Sequence, residues 1–130
     1  MAGRLIRPEL GHAGLWLGTG AAYVAVIVWL SLTPHPPQPF QLWDKAAHFL
    51  VYATLAGWFG AVIRRSAHVL VVVLVTALGV VLEFVQGWSG LRQFELADMA
   101  ANGLGALVGV LVALTPVGNT LVRIERLWRD

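Results

Sequence analysis

Ten side chains able to move a proton, carry a charge or donate a hydrogen bond sit at the margins of otherwise apolar runs. They are Asp44, Lys45, His48 and Tyr52, then Glu83 and Gln86, then Arg92, Glu95, Asp98 and Asn102. An ionisable group inside a membrane is costly enough to be a functional candidate by default. Asp44, His48 and Tyr52 recur at four-residue spacing, which puts them on one helical face at about 100° per residue. An aspartate one turn from a histidine can fix the imidazole tautomer and raise its basicity, which suits His48 to proton transfer. Lys45 and Arg92 supply the cations that a phosphate needs. Glu83 and Asp98 offer a second base or an ion-pair partner, and Tyr52, Gln86 and Asn102 offer hydrogen bonds to a substrate.

Each of these residues also has a plain structural use. Asp44 and Glu95 suit helix N-termini, Lys45 suits snorkelling to an interface, and His48 suits a satisfied interior histidine. Gln86 and Asn102 are amides that bridge helices. Glu83 is harder to assign in this way. It follows a long apolar run, where a carboxylate protonates or needs a cation such as Lys45, Arg92 or His48. No metal site is expected from His48, Glu83 and Asp98, because paired-histidine or His-Glu-x-x-His spacing is missing, and no cofactor is expected either. Ser31 has no histidine at a motif spacing, which argues against a serine hydrolase.

The elements that must position these groups follow from composition. Of 130 residues, 58% are hydrophobic and 12% charged, where a soluble domain carries about 25% charged residues. Zero cysteines exclude disulfides, thiol catalysis and cysteine zinc sites. The net charge is only +2, and the basic residues form no stripe with interleaved aromatics, so nucleic acid is not an expected partner.

A helix spanning the bilayer needs about 20 apolar residues. Four segments qualify, at about 14–32, 46–63, 67–88 and 96–117. The prolines of the TPHPPQP loop end the first. Its apolar length exceeds that of a signal peptide, so it is expected to remain as an anchor. The fold class expected is therefore all-α, a single domain forming a four-helix transmembrane bundle. Arg4, Arg7, Arg64, Arg65, Arg123, Arg126 and Arg129 fall on one side of this topology and only Lys45 and Arg92 on the other. By the positive-inside rule both termini are cytoplasmic, and the ten polar residues lie toward the outer face. Arg123, Arg126 and Arg129, beside Leu121, Ile124, Leu127 and Trp128, suggest a short C-terminal interfacial helix on anionic lipid.

Helical phase adds one packing expectation. Asp98, Asn102, Gly105 and Gly109 share a narrow arc, and Ala101, Gly105 and Gly109 have small-xxx-small spacing, so this face should pack closely on a neighbouring helix.

The segments SLTP (Ser31 to Pro34), DKAAHFLVY (Asp44 to Tyr52), EFVQ (Glu83 to Gln86) and RQFELADMAANGLG (Arg92 to Gly105) resemble, in this order, the VanZ-like family of small bacterial membrane proteins. The resemblance covers roughly residues 31–109. It implies a multi-pass protein of the bacterial cytoplasmic membrane, and carries over to Asp44, Lys45, His48, Tyr52, Glu83, Gln86, Arg92, Asp98 and Asn102. The family is named for a protein conferring resistance to the glycopeptide teicoplanin and supplies no established reaction. Three functions fit the residues. One is a hydrolase or transferase acting on the head group of a membrane lipid or lipid-linked peptidoglycan precursor. Another is a non-catalytic binder or shield of such a head group, precursor or glycopeptide. A small transporter fits less well, since the cytoplasmic halves of the spans look apolar.

Overall fold

The computed structural model of the chain describes residues 5–34, 41–91 and 93–130. Arg4, His35 and Arg92, and most of the proline-rich loop, lie outside the described residues. Among the described residues the structure is helical apart from one antiparallel bridge between Ile6 and Ile63. Four long helices, α1 (Ala13–Leu32), α2 (Gln41–Val62), α3 (His68–Trp88) and α4 (Leu96–Ala113), are followed by a short α5 (Thr120–Arg129).

Among the described residues, three stretches are long and apolar enough to cross a membrane: Ala13–Leu32, Arg65–Trp88 and Leu96–Ala113. Helix α2, at 22 residues, is long enough at about 1.5 Å per residue, but Asp44, Lys45, His48 and Tyr52 dilute its apolar character. It is also the central helix, packing on α1, α3 and α4. Its Leu55 and Ala56 are fully buried, and the core around them draws Ile27 from α1, Val71, Val75 and Leu82 from α3, and Ala106 and Val110 from α4. The apolar residues on the outer side, such as Val69, Leu74, Val81, Leu104 and Leu111, are exposed.

Helix boundaries differ from the expected spans at two places. Helix α2 starts at Gln41, so Asp44 lies within the first turn and is not the N-cap. Helix α4 ends at Ala113 instead of reaching residue 117. Pro116 has no N–H to continue the ladder and forces Thr115 into extended backbone (φ −81°, ψ 174°). A 3-10 turn, Pro116–Asn119, then redirects the chain into α5.

The close packing expected for the glycine face of α4 is present. A Cβ at Gly105 would collide with the Phe49 carbonyl, and one at Gly109 with the Ala53 carbonyl. Helices α2 and α4 therefore run parallel with their backbones in contact, the geometry that small residues permit.

At the opposite end from Asp44 and Asp98, the N-terminal segment, the α2–α3 turn and α5 form a base. Leu121 and Val122 join Leu10, Trp16, Ala61 and Val62 in a second core. Its keystone is Glu125, fully buried on the apolar face of α5. Its carboxylate accepts hydrogen bonds from the Gly11 N–H (2.7 Å), the His12 N–H (2.9 Å), Trp16 Nε1 (2.7 Å) and Arg129 (3.1 Å). The first two are orphan donors ahead of α1, so a distant carboxylate caps that helix. Trp128 stacks on Trp16 at 5.5 Å.

Burial pushes the Glu125 pKa up, but the hydrogen bonds from Trp16, His12, Gly11 and Arg129 outweigh it and hold the pKa near about 2, against an ordinary 4.5. A carboxylate depressed in the folded state contributes stability that is present above its unfolded value and lost as pH falls toward the folded one. In thermal unfolding scans in detergent, the wild type should lose stability between about pH 4.5 and about 2. The Glu125→Gln variant should be less stable at neutral pH by about 2 kcal/mol and should lack this pH step.

Candidate functional site

The polar end of the bundle is assembled from three helices. Lys45 and His48 lie one turn apart on α2, Glu83 and Gln86 on the last turns of α3, and Asp98 and Asn102 one turn apart on α4. Because α2 and α4 are parallel and in backbone contact, the two i, i+3/i+4 pairs face each other in register.

Lys45 Nζ donates to Glu95 Oε2 at 2.6 Å and to Asp98 Oδ1 at 3.1 Å. Asp98 is fully buried, and the Glu95 side chain is about one third exposed. His48 Nδ1 lies 3.0 Å from Asn102 Oδ1. An amide oxygen only accepts, so this contact selects a ring with a proton on Nδ1. Nε2 then faces Asp44, whose Oδ1 is 3.9 Å away. That separation allows charge attraction but exceeds hydrogen-bond reach. The ring is thus oriented by Asn102, where the sequence pointed to Asp44.

Glu83 and Gln86 hold the frame. Glu83 is buried, and its Oε1 accepts the backbone N–H of Glu95 at 3.0 Å, tying α3 to the start of α4. Gln86 Nε2 donates to the Ser31 carbonyl at 2.8 Å, satisfying a C-terminal carbonyl of α1. Gly79 leaves room for the Asn102 side chain and the Tyr52 ring, each about 3 Å or less from where its Cβ would be. Tyr52 belongs to the buried core one turn below His48. The structure thus groups Asp44, Lys45, His48, Asp98 and Asn102 at one end, with Glu83 and Gln86 bracing beside them and Tyr52 beneath. Arg92 is outside the described residues.

A cation-holding arrangement also appears that the residue spacing did not suggest. Asp44, His48 and Asp98 each place one potential ligand atom within 4.8 Å of the other two. It replaces Glu83 by Asp44 in the triple considered from sequence. Two further residues have roles that the sequence reading did not give them. Glu95 was expected as a helix cap; it is the N-cap residue of α4, but its carboxylate makes no cap bond and goes to Lys45. Glu125 was not singled out, although Leu121, Val122 and Glu125 share one helical face, the signature of an acid within an apolar stripe.

Comparison with protein families, with curated proteins and with solved structures finds no match for this chain.

The ion bridge has an asymmetric consequence. Removing Lys45 takes an ammonium from a fully buried carboxylate, whereas removing the Glu95 charge alters only a partly exposed pair. Lys45→Ala should therefore destabilise the protein by about 3 kcal/mol and Glu95→Gln by under about 1 kcal/mol, as measured by thermal unfolding in detergent.

Proposed function

We propose that this chain is a VanZ-like protein of the bacterial cytoplasmic membrane that crosses it four times, with both termini inside. The polar end then engages the head group of a lipid or lipid-linked envelope precursor in the outer leaflet. Three helices of sufficient length and apolarity support the membrane assignment, and α2 is carried across by its burial among them. The orientation rests on Arg7, Arg64, Arg65, Arg123, Arg126 and Arg129 sharing the end opposite Lys45. In this setting α5 lies at the inner interface, with Leu127 and Trp128 exposed beside Arg123 and Arg126.

The observation that carries the reading is the state of His48. Its Nδ1 is committed to the buried Asn102, its Nε2 is turned to Asp44, and the His48 and Asp44 side chains are 16% and 15% exposed. A locked imidazole with one nitrogen directed toward an accessible carboxylate is poised to act on a ligand, and a purely structural histidine needs no such arrangement. Where the ligand is turned over, Nε2 is the working atom. A second reading, a non-catalytic binder or shield of a head group or glycopeptide, is favoured by one feature. Lys45 already bridges two carboxylates, a brace and not a mobile phosphate clamp.

Two experiments test this. The chain has no cysteine, so single replacements report topology directly. With a membrane-impermeant maleimide on intact cells, Ser89→Cys should be labelled and Ser66→Cys should label only after lysis; the reverse pattern refutes the orientation.

For the site, purified protein is reconstituted in vesicles of phosphatidylglycerol and phosphatidylethanolamine, and lipids are followed by mass spectrometry. His48→Ala should reduce turnover by about 100-fold or more if the site is catalytic, or abolish selective lipid retention if it only binds. A variant matching wild type in both readouts removes the head-group reading.

A further inference from the structure

We propose that Asp44, His48 and Asp98 together hold a divalent cation of the zinc or manganese type, and that this cation is what attracts a phosphate-bearing head group to the site. The donor set is one imidazole nitrogen and two carboxylates, from α2 and α4, with one atom of each within 4.8 Å of the others. Bonds of about 2.0 to 2.2 Å to such an ion put neighbouring ligand atoms roughly 3 to 3.6 Å apart. Rotation of the partly exposed Asp44 side chain, with the His48 ring held by Asn102, would narrow the difference. The Nε2 to Asp44 distance of 3.9 Å is too long for a shared proton and close to the span of two ligands across an ion.

The surroundings of His48 point the same way. A histidine that ligates through one nitrogen donates the other N–H to a carbonyl or carboxylate, which fixes ring and tautomer. Asn102 Oδ1, on a side chain only 1% exposed, is that acceptor at 3.0 Å. Asp98 is fully buried and fixed by Lys45, and a carboxylate has lone pairs enough for both an ammonium and a cation. The accessible side, at Asp44 and His48, leaves coordination positions for an outside ligand.

Charge supplies the third argument. Asp44, Glu83, Glu95 and Asp98 gather at this end against Lys45, and Arg92 in the sequence brings the cations to two. An acid-rich site repels phosphate, and a divalent ion reverses that local field. The inference rests on the head-group reading for its purpose but not for cation binding itself. It gives Nε2 a lone-pair role in place of direct proton transfer.

The full-length protein, purified in detergent and stripped with a chelator, is titrated calorimetrically with Zn2+ and separately with Mn2+. One equivalent of at least one ion should bind. His48→Ala and Asp44→Asn should each weaken binding by tenfold or more, and Asn102→Ala by about 10- to 100-fold through loss of ring orientation. His12→Ala, at the opposite end, should leave it unchanged. Absence of saturable binding, or full binding in His48→Ala, overturns the cation site.

Inorganic phosphate and short-chain phosphatidylglycerol are then added with and without the ion. Ion-dependent binding of the lipid, beyond that of free phosphate, supports the whole inference. Lipid binding that survives chelation overturns the cation's role while the head-group reading stands. An ion that binds but recruits neither ligand leaves the cation site standing and overturns the head-group reading.

Discussion

The contact between the backbones of α2 and α4 sets everything else at the polar end. Gly105 and Gly109 lie against the carbonyls of Phe49 and Ala53, and Gly57 reciprocates, its Cβ position 3.3 Å from the Gly109 carbonyl. With the helices parallel, this contact also fixes their register. Just beyond the contact of Phe49 with Gly105, His48 faces Asn102, and one turn further on Lys45 faces Asp98. A helix pair separated by ordinary side chains would sit about 8 to 10 Å apart and would carry these short side chains out of hydrogen-bond range. The glycines are therefore as much a part of the polar site as the residues that line it, and the absence of water from hydrocarbon makes each of those hydrogen bonds harder to replace.

The two ends of the bundle solve the problem of a buried carboxylate differently. Glu125 is neutralised chiefly by hydrogen bonds: two backbone N–H groups, an indole and one arginine surround it. Its acceptor sites are filled by the protein, and the result is a staple between α5 and α1. Asp98 is held by an ammonium and sits in the first turn of α4, where the helix dipole favours a negative charge. It belongs to a group of ionisable side chains that includes partly exposed members. The first arrangement is closed and stabilising. The second includes two partly exposed side chains, Asp44 and His48.

Much of this was legible from the sequence because a membrane composition makes polar residues conspicuous. The helical class, the approximate spans of α1 and α3, and the tight glycine face all follow from apolar length and from a period near 3.6. Partner choice did not follow. Periodicity assigns His48 a face but cannot say that Asn102, 54 positions away, reaches the ring before Asp44 does. The end of α4 was misplaced because apolar residues continue to Val117, while Pro116 breaks the ladder whatever its neighbours' hydropathy. The polarity of α2 weakened its own signal, since a central helix can bury a polar face against its neighbours. Glu125 went unnoticed because the arginines around it suggested an interfacial helix on anionic lipid, although it shares a helical face with the buried Leu121 and Val122.

The basic residues are used differently at the two ends of the bundle. At the base, Arg7 donates to the Gly118 carbonyl and to Asn119 Oδ1, Arg64 to the Ile6 carbonyl and Arg65 to the Leu114 carbonyl. These arginines satisfy backbone oxygens at turns and at the C-terminus of α4, where positive charge also suits the dipole. Their donors are spent on the protein's own chain. At the opposite end Lys45 is the one basic side chain among the described residues that does comparable work, bridging Glu95 and Asp98. What distinguishes that end is His48, held on one side by a buried amide and facing a partly exposed carboxylate on the other. Stability alone would have been served by an apolar residue there, because replacing a buried polar group and its partner by apolar ones of the same shape is close to neutral. Lys45 and Asn102 offset part of the cost of bringing an imidazole and two aspartates together, and under the proposed reading a ligand would supply the rest.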